Sequence, residues 1–231
     1  QTPPDRVDYF MKSGLWPNRL LTEYLDEAVA ARPDGTAVVA YDSQTGQRTA
    51  KTYAELNRIV NRIALGLVGH GIEAGDVVAA QLQNSWHFNA LYLACVRVGA
   101  VMNPLMPIFR HRELSFMLSF GQAKAIFVPH YFRGFDYPAM IGELRPDLPA
   151  LDHMFVVGGD GADSFDACFL DRAWEEEMDR DAVFADRRPS ANDVSLLMYT
   201  SGTTGQPKGV MHTQNTLIGN IVKYIDRVEL D

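Results

Sequence analysis

Apolar residues recur at helical spacing in two stretches of the first third of the chain, then shift from Gly75 onward to short continuous runs separated by further helical stretches. Leu21, Leu25, Ala28 and Val29 share one face of a helix predicted from Leu20 to Ala31, which Pro33-Asp34-Gly35 stops. Ala37 to Tyr41 and Arg48 to Tyr53, joined by a polar turn through Gly46, read as a hairpin. Thr52-Tyr53-Ala54-Glu55 is a capping box. It opens a helix with Leu56, Ile59, Val60, Ile63 and Leu67 on one face, closed at Gly69 or Gly71, and its role is structural.

From Gly75 the order becomes strand, helix, strand. Val77 to Leu82, Ala100 to Asn103 and Ala125 to Val128 are apolar strands, with helices at Trp86 to Val98 and Glu113 to Phe120 between them. Tyr137 to Leu144 and a strand at His153 to Val157 extend the pattern. Such alternation predicts an α/β fold: a doubly wound, mostly parallel sheet with helices on both faces. Asp160 to Arg188 is acidic and loses periodicity apart from a short helix around Trp174, so it reads as a solvated surface excursion. Val194 to Tyr199 and Gly209 to His212 are two further strands. The expected organisation is helices and a hairpin over 1–74, a βαβ-type unit over 75–158, the excursion over 159–190, and strand, loop, strand and the start of a helix over 191–231.

Between those last two strands the chain concentrates the chemistry. Thr200-Ser201-Gly202-Thr203-Thr204-Gly205-Gln206-Pro207-Lys208 carries four hydroxyls, two glycines and one lysine. Glycines let backbone N–H groups converge on an anion, hydroxyls add donors, and a lysine adds a point charge. The run is a phosphate loop, but not a Walker A loop. Gly202 and Gly205 are too close together, Pro207 precedes the lysine, and Gly209 follows it where a magnesium-binding hydroxyl and a helix should stand. A flexible strand-to-strand loop is implied.

The run Tyr199 to Val210 resembles the signature of the adenylate-forming superfamily, which holds acyl-CoA synthetases, nonribosomal peptide adenylation domains and luciferases. Leu82-Gln83-Asn84-Ser85, Tyr92 to Val101 and Asn103-Pro104-Leu105-Met106-Pro107-Ile108-Phe109-Arg110 to Glu113-Leu114 look like earlier blocks of the same family, so the resemblance covers roughly residues 20 to 220. It implies that this is part of the large amino-terminal domain of such an enzyme. The implied reaction is ATP-dependent conversion of a carboxylic acid to an acyl-adenylate, followed in the synthetase branch by transfer to CoA. The implied phosphate-binding residues are Thr200, Ser201, Gly202, Thr203, Thr204, Gly205 and Lys208, with Thr200 touching Mg2+.

Within the superfamily, residues 103–118 look like cyclohexanecarboxylate-CoA and medium-chain fatty acid-CoA ligases, although Gln214 stands where a second histidine is common and Gln83 where proline is usual. A carrier-protein-loading adenylation enzyme and a non-catalytic nucleotide-binding module would share every residue quoted. The resemblance also implies a chain more than twice as long, with the acyl pocket, the adenine and ribose motifs and a carboxy-terminal domain bearing the catalytic lysine all beyond Asp231. The 231 residues alone are expected to be inactive.

Composition narrows the partners. At 47% hydrophobic the chain can build a core, and a formal charge of −8 without a basic stripe excludes nucleic acid. A polyanionic nucleotide must then be held by local amides, Lys208 and a bound cation. Cys95 and Cys168 lack CxxC or His-Cys spacing and read as buried thiols of a reducing, cytoplasmic compartment; neither a signal peptide nor a membrane span is present in the pattern. The histidines show no metal spacing. Gly158-Gly159-Asp160-Gly161 lacks the third glycine and helix of a dinucleotide site and reads as a turn, as do Asn103-Pro104 and Pro107. His212 either satisfies a local hydrogen bond or approaches the ligand.

Overall fold

The computed structural model describes residues 2–200 and 207–228. Its strands are β1 (Thr36–Tyr41), β2 (Arg48–Thr52), β3 (Val77–Ala80), β4 (Val101–Pro104), β5 (Ala123–Pro129), β6 (Tyr131–Phe132), β7 (Phe135–Asp136), β8 (His153–Val157), β9 (Val194–Thr200) and β10 (Lys208–Thr213). Its α-helices are α1 (Pro4–Lys12), α2 (Leu21–Ala31), α3 (Tyr53–Gly69), α4 (Trp86–Val98), α5 (His111–Gly121), α6 (Tyr137–Leu144), α7 (Trp174–Glu177), α8 (Arg180–Asp186) and α9 (Gln214–Val228). The pattern in the sequence anticipates most of these, but not α1, an exposed helix in which no residue is buried.

Six strands form the central sheet in the order β10-β9-β4-β3-β5-β8. Every pairing in it is parallel except β9 with β10. Period-two alternation divides its side chains between two layers. Val78, Ala80, Met102, Ala125 and Phe127 face α3 and α4, whereas Ala79, Ile126, Val128 and Val156 face α5 and α6. Burial on both faces explains why these strands read as continuous apolar runs. The doubly wound expectation holds.

Local chemistry sets the ends of the helices. Thr52 Oγ1 accepts from Glu55 N at 3.2 Å and Glu55 Oε2 from Thr52 N at 2.8 Å, the reciprocal capping box that starts α3. Gly99 closes α4 in the left-handed region, at φ +73°. Arg97, which interrupts the apolar run of α4, turns back to α2 and forms a bidentate pair with Asp26 at 2.7 and 2.8 Å.

One expectation needs correction in part. Most of the segment read as a surface excursion is exposed, but it buries Phe165, Phe169 and Trp174, each 2% exposed or less, the first two within the main core. Trp174 opens the expected short helix α7, but its indole lies against α3, with Nε1 donating to Cys168 O at 2.8 Å. Two glycines of α3 make room: a Cβ at Gly66 would stand 2.6 Å from Phe169 Cδ1, and one at Gly69 would stand 2.1 Å from Trp174 Cζ3. The intervening acidic residues remain on the outside, and Arg62 of α3 pairs with Glu175. Charge dominated the composition of this stretch, while a few aromatics decided where it lies.

Candidate functional site

Because β3, β4, β5, β8 and β9 are parallel, their carboxyl ends share one edge of the sheet, the edge where open α/β sheets bind ligands. Thr200 ends β9 at that edge, and Lys208 starts β10 directly opposite it in the antiparallel ladder. Opposite residues in such a ladder project to the same face. Both are exposed, so a hydroxyl and an ammonium stand on one side at the two ends of the connection between β9 and β10. Ser201, Gly202, Thr203, Thr204 and Gly205 lie outside the described residues. The reading of this run as a connection from strand to strand holds, since the chain passes from β9 into β10.

Met198 and Val210, then Leu196 and His212, follow Thr200 and Lys208 on that face. His212 lies four residues along the strand from Lys208, a separation of about 14 Å, and its carbonyl accepts from Ser195 Oγ at 3.5 Å. That position suits a structural role. The opposite face carries Leu197, Tyr199, Gly209 and Met211, and it is turned toward α5. Tyr199 Oη donates to Met117 O at 2.7 Å, and burial pushes its pKa up to about 12, so the phenol stays a proton donor.

Past the end of β4, residues 105–110 make a turn at Pro107-Ile108, with Phe109 N donating to Met106 O at 3.0 Å, and side chains brace it into a ledge. Gln81, fully buried just past β3, donates Nε2 to Met106 O at 3.0 Å and to Phe109 O at 2.9 Å. Tyr137 Oη donates to Pro107 O at 2.8 Å. Arg110 Nη1 donates to Pro107 O and Phe109 O at 2.7 Å each, with its guanidinium 4.0 Å from the Phe135 ring centroid. Met106 and Ile108 are presented to solvent from this ledge, 56% and 74% exposed. Of the residues read as turn-forming, Asn103 and Pro104 instead end β4 while Pro107 does enter a turn; Gln81, one amide in an apolar strand, was missed.

A polar cleft of about 700 Å³ opens at the same edge, between the β1–β2 hairpin and the residues after β3 and β5; Tyr41, Gln83, His87, Phe132, Arg133 and Asp166 are among its walls. The sheet order reverses direction between β3 and β5, so the cleft occupies the topological switch point. His87 stacks on Trp86 at 3.7 Å, and burial, helped by the charge of Lys51, pushes its pKa down to about 4. Its imidazole is therefore neutral at physiological pH. Among the described residues no group of three or more His, Cys, Asp or Glu side chains could cage a metal ion. Cys95 and Cys168 are buried and not bonded to each other, and burial raises both thiol pKa values.

Residues 25–230 match the family model described as AMP-binding enzyme. The chain belongs to this family. AMP-binding enzymes similar to it include the 2-hydroxy-7-methoxy-5-methyl-1-naphthoate–CoA ligase of Streptomyces carzinostaticus, 33% identical over 93% of this chain and 38% of that protein. The medium-chain fatty-acid–CoA ligase of Escherichia coli strain K12 is 31% identical over 96% of this chain and 38% of its own length. The salicyl-AMP ligase / salicyl-S-ArCP synthetase of Mycobacterium tuberculosis is 32% identical over 94% and 37%. Among solved structures, apo MbtA of Mycobacterium smegmatis superposes with a TM-score of 0.73 at 30% identity, over 95% of this chain and 38% of that one. The chain thus spans under two fifths of the length of the relatives it matches. The family is enzymatic, and CoA ligases and a carrier-loading synthetase both stand among its members similar to this chain.

Proposed function

We propose that the protein of which these residues form part activates a carboxylic acid with ATP and passes the acyl group to CoA. The substrate carboxylate attacks the α-phosphorus, pyrophosphate leaves, and the acyl-adenylate forms. The CoA thiol then displaces AMP, giving the thioester. The observation that carries this reading is the pairing of Thr200 with Lys208 on one face at the carboxyl edge of the sheet, at the two ends of the signature loop. In this reading Thr200, Ser201, Gly202, Thr203, Thr204, Gly205 and Lys208 hold the β and γ phosphates. Charge accumulates on those phosphates as pyrophosphate departs, and preorganised donors aimed at it lower the barrier.

Magnesium fits as a companion of the nucleotide. No caging cluster is found among the described residues, whereas the exposed Thr200 hydroxyl suits an ion that keeps its waters and rides on substrate phosphates. Bound there, the ion would offset phosphate charge. The two unbonded thiols support a cytoplasmic setting, and no helix among the described residues is long and apolar enough to cross a membrane.

The test is ATP–pyrophosphate exchange by the full-length protein across a panel of aliphatic and aromatic acids. Lys208→Ala is expected to lower exchange by about 10²- to 10³-fold, the usual cost of one lost transition-state donor. Exchange unchanged in that variant would sink the reading. Thioester formation with free CoA, as opposed to acylation of a carrier protein only, separates the CoA-ligase reading from the carrier-loading one.

A further inference from the structure

We propose that Asn103 and Tyr199 are positioning residues for the phosphate loop, tying the last residues of β9 to the body of the domain where the sheet itself stops doing so. The proposal rests on the reading of that loop as an ATP-binding element. Its starting point is a defect in the sheet. The parallel ladder between β4 and β9 consists of one residue pair, Met102 opposite Leu196. β4 then ends at Pro104, which has no N–H to offer, so the ladder cannot continue toward the loop. Leu197 to Thr200 keep β10 as a neighbour, but β10 is the strand returning from the loop and cannot anchor it.

Two side chains supply the missing attachment. Asn103 Nδ2 donates to Leu197 O at 2.7 Å, one residue past the point where the ladder ends. The acceptor is a carbonyl, so the bonded amide atom must be nitrogen. Asn103 is completely buried, and its Oδ1 has no hydrogen-bond partner among the described residues. Burying half an amide unpaired is unfavourable, and an apolar residue would avoid it. What an apolar residue could not supply is the bond to Leu197.

Tyr199 provides the second tie, through its hydroxyl to Met117 O of α5. The packing around it leaves no slack. A Cβ at Gly121, the last residue of α5, would stand 2.9 Å from Tyr199 Oη and 3.3 Å from Leu197 Cδ2, and one at Gly209 would stand 3.2 Å from Leu197 Cδ1. The end of β9 is thus seated between a helix terminus and its own return strand, with glycine on both sides. Thr200 follows Tyr199 directly and faces Lys208, so a displacement of Tyr199 moves both ends of the loop. Donors placed for transition-state charge must hold position to about half an ångström.

The experiment uses the full-length enzyme, with Asn103→Leu and Tyr199→Phe compared against Lys208→Ala. Pyrophosphate exchange is measured against MgATP at saturating acid, alongside the KM for the acid, the thermal midpoint and amide exchange at residues 197–200. Asn103→Leu keeps the volume and removes the donor. Tyr199→Phe removes one oxygen and keeps the ring, so it tests the proposal even where Asn103→Leu fails to fold.

Both variants are expected to raise the KM for MgATP and lower kcat/KM for it about 10- to 100-fold, the range a misplaced binding group produces. The KM for the acid stays unchanged, and amides at 197–200 exchange faster. A lower thermal midpoint with the KM for MgATP unmoved, while Lys208→Ala still impairs exchange, overturns the positioning role and leaves the loop reading standing. Exchange indifferent to Lys208→Ala overturns both.

Discussion

Gly69→Ala tests the least expected feature of the fold, the burial of Phe169 and Trp174 against α3. On an exposed helix the change would stabilise the protein by up to about 1 kcal/mol, because alanine loses less backbone entropy than glycine. Here the new Cβ would stand 2.1 Å from Trp174 Cζ3. That lies about 1.4 Å inside the ~3.5 Å separation at which carbon atoms rest in contact. The indole has little room to retreat. It is 2% exposed, its Nε1 is bonded to Cys168 O at 2.8 Å, and the Arg172 guanidinium lies 3.6 Å from its ring centroid. Overpacking of this kind costs about 1–3 kcal/mol, and expelling the indole would approach the roughly 3–5 kcal/mol of a Trp→Ala truncation. The net expectation is destabilisation by about 1–4 kcal/mol, opposite in sign to the exposed case. Urea unfolding followed by circular dichroism measures it. Adding Trp174→Ala to Gly69→Ala should cost less than the two single changes summed, since the second removes what the first collides with. A Gly69→Ala protein as stable as the parent, or more so, would refute the packing of Trp174 on α3.

Two further predictions concern stability. The folded-state pKa of His87 falls from 6.5 to about 4, so between those values the unfolded chain binds the proton more tightly; the stabilisation is complete above pH 6.5 and is lost as pH falls toward 4. The loss amounts to about 3 kcal/mol, and His87→Gln should flatten that part of the stability–pH profile; an identical slope in parent and variant removes the assignment. Gln214, 1% exposed, accepts from Leu21 N at 3.1 Å and donates to Ser195 Oγ at 2.8 Å, latching α2 to the start of α9. Gln214→Leu leaves Leu21 N without this acceptor and Ser195 Oγ without this donor and is expected to cost about 1–3 kcal/mol, so a denaturation midpoint equal to that of the parent would show the latch to be dispensable.

Local chemistry made most of the fold legible. The capping box at Thr52 and the apolar runs of β3, β4 and β5 each act within a few residues, so their spacing already states the element they form. The same holds for the two strands around the signature run, which their apolar residues predict; that their pairing sets Thr200 opposite Lys208 is a finding of the structure. Harder to read were residues whose partners are distant in the chain. Gln81 bonds carbonyls 25 and 28 positions away, Asn103 one 94 positions away, and Tyr199 one 82 positions away. Nothing near them in sequence carries a pattern that names those partners. The acidic stretch after Asp160 failed for a related reason, because its charges outnumber the aromatics that decide its burial.

The sequence by itself thus determined most of the elements and the parallel sheet buried on both faces, and it set apart the Gly/Thr-rich run between β9 and β10, because periodicity, caps and glycine-rich loops are local properties. Only the tertiary structure decided that Phe165, Cys168, Phe169 and Trp174 are buried and that Gly66 and Gly69 leave room for two of those rings. It also decided that the loop hangs from a strand held by a buried amide and a phenol. Those outcomes depend on which surfaces meet and on how much room each leaves, and chain distance does not encode either.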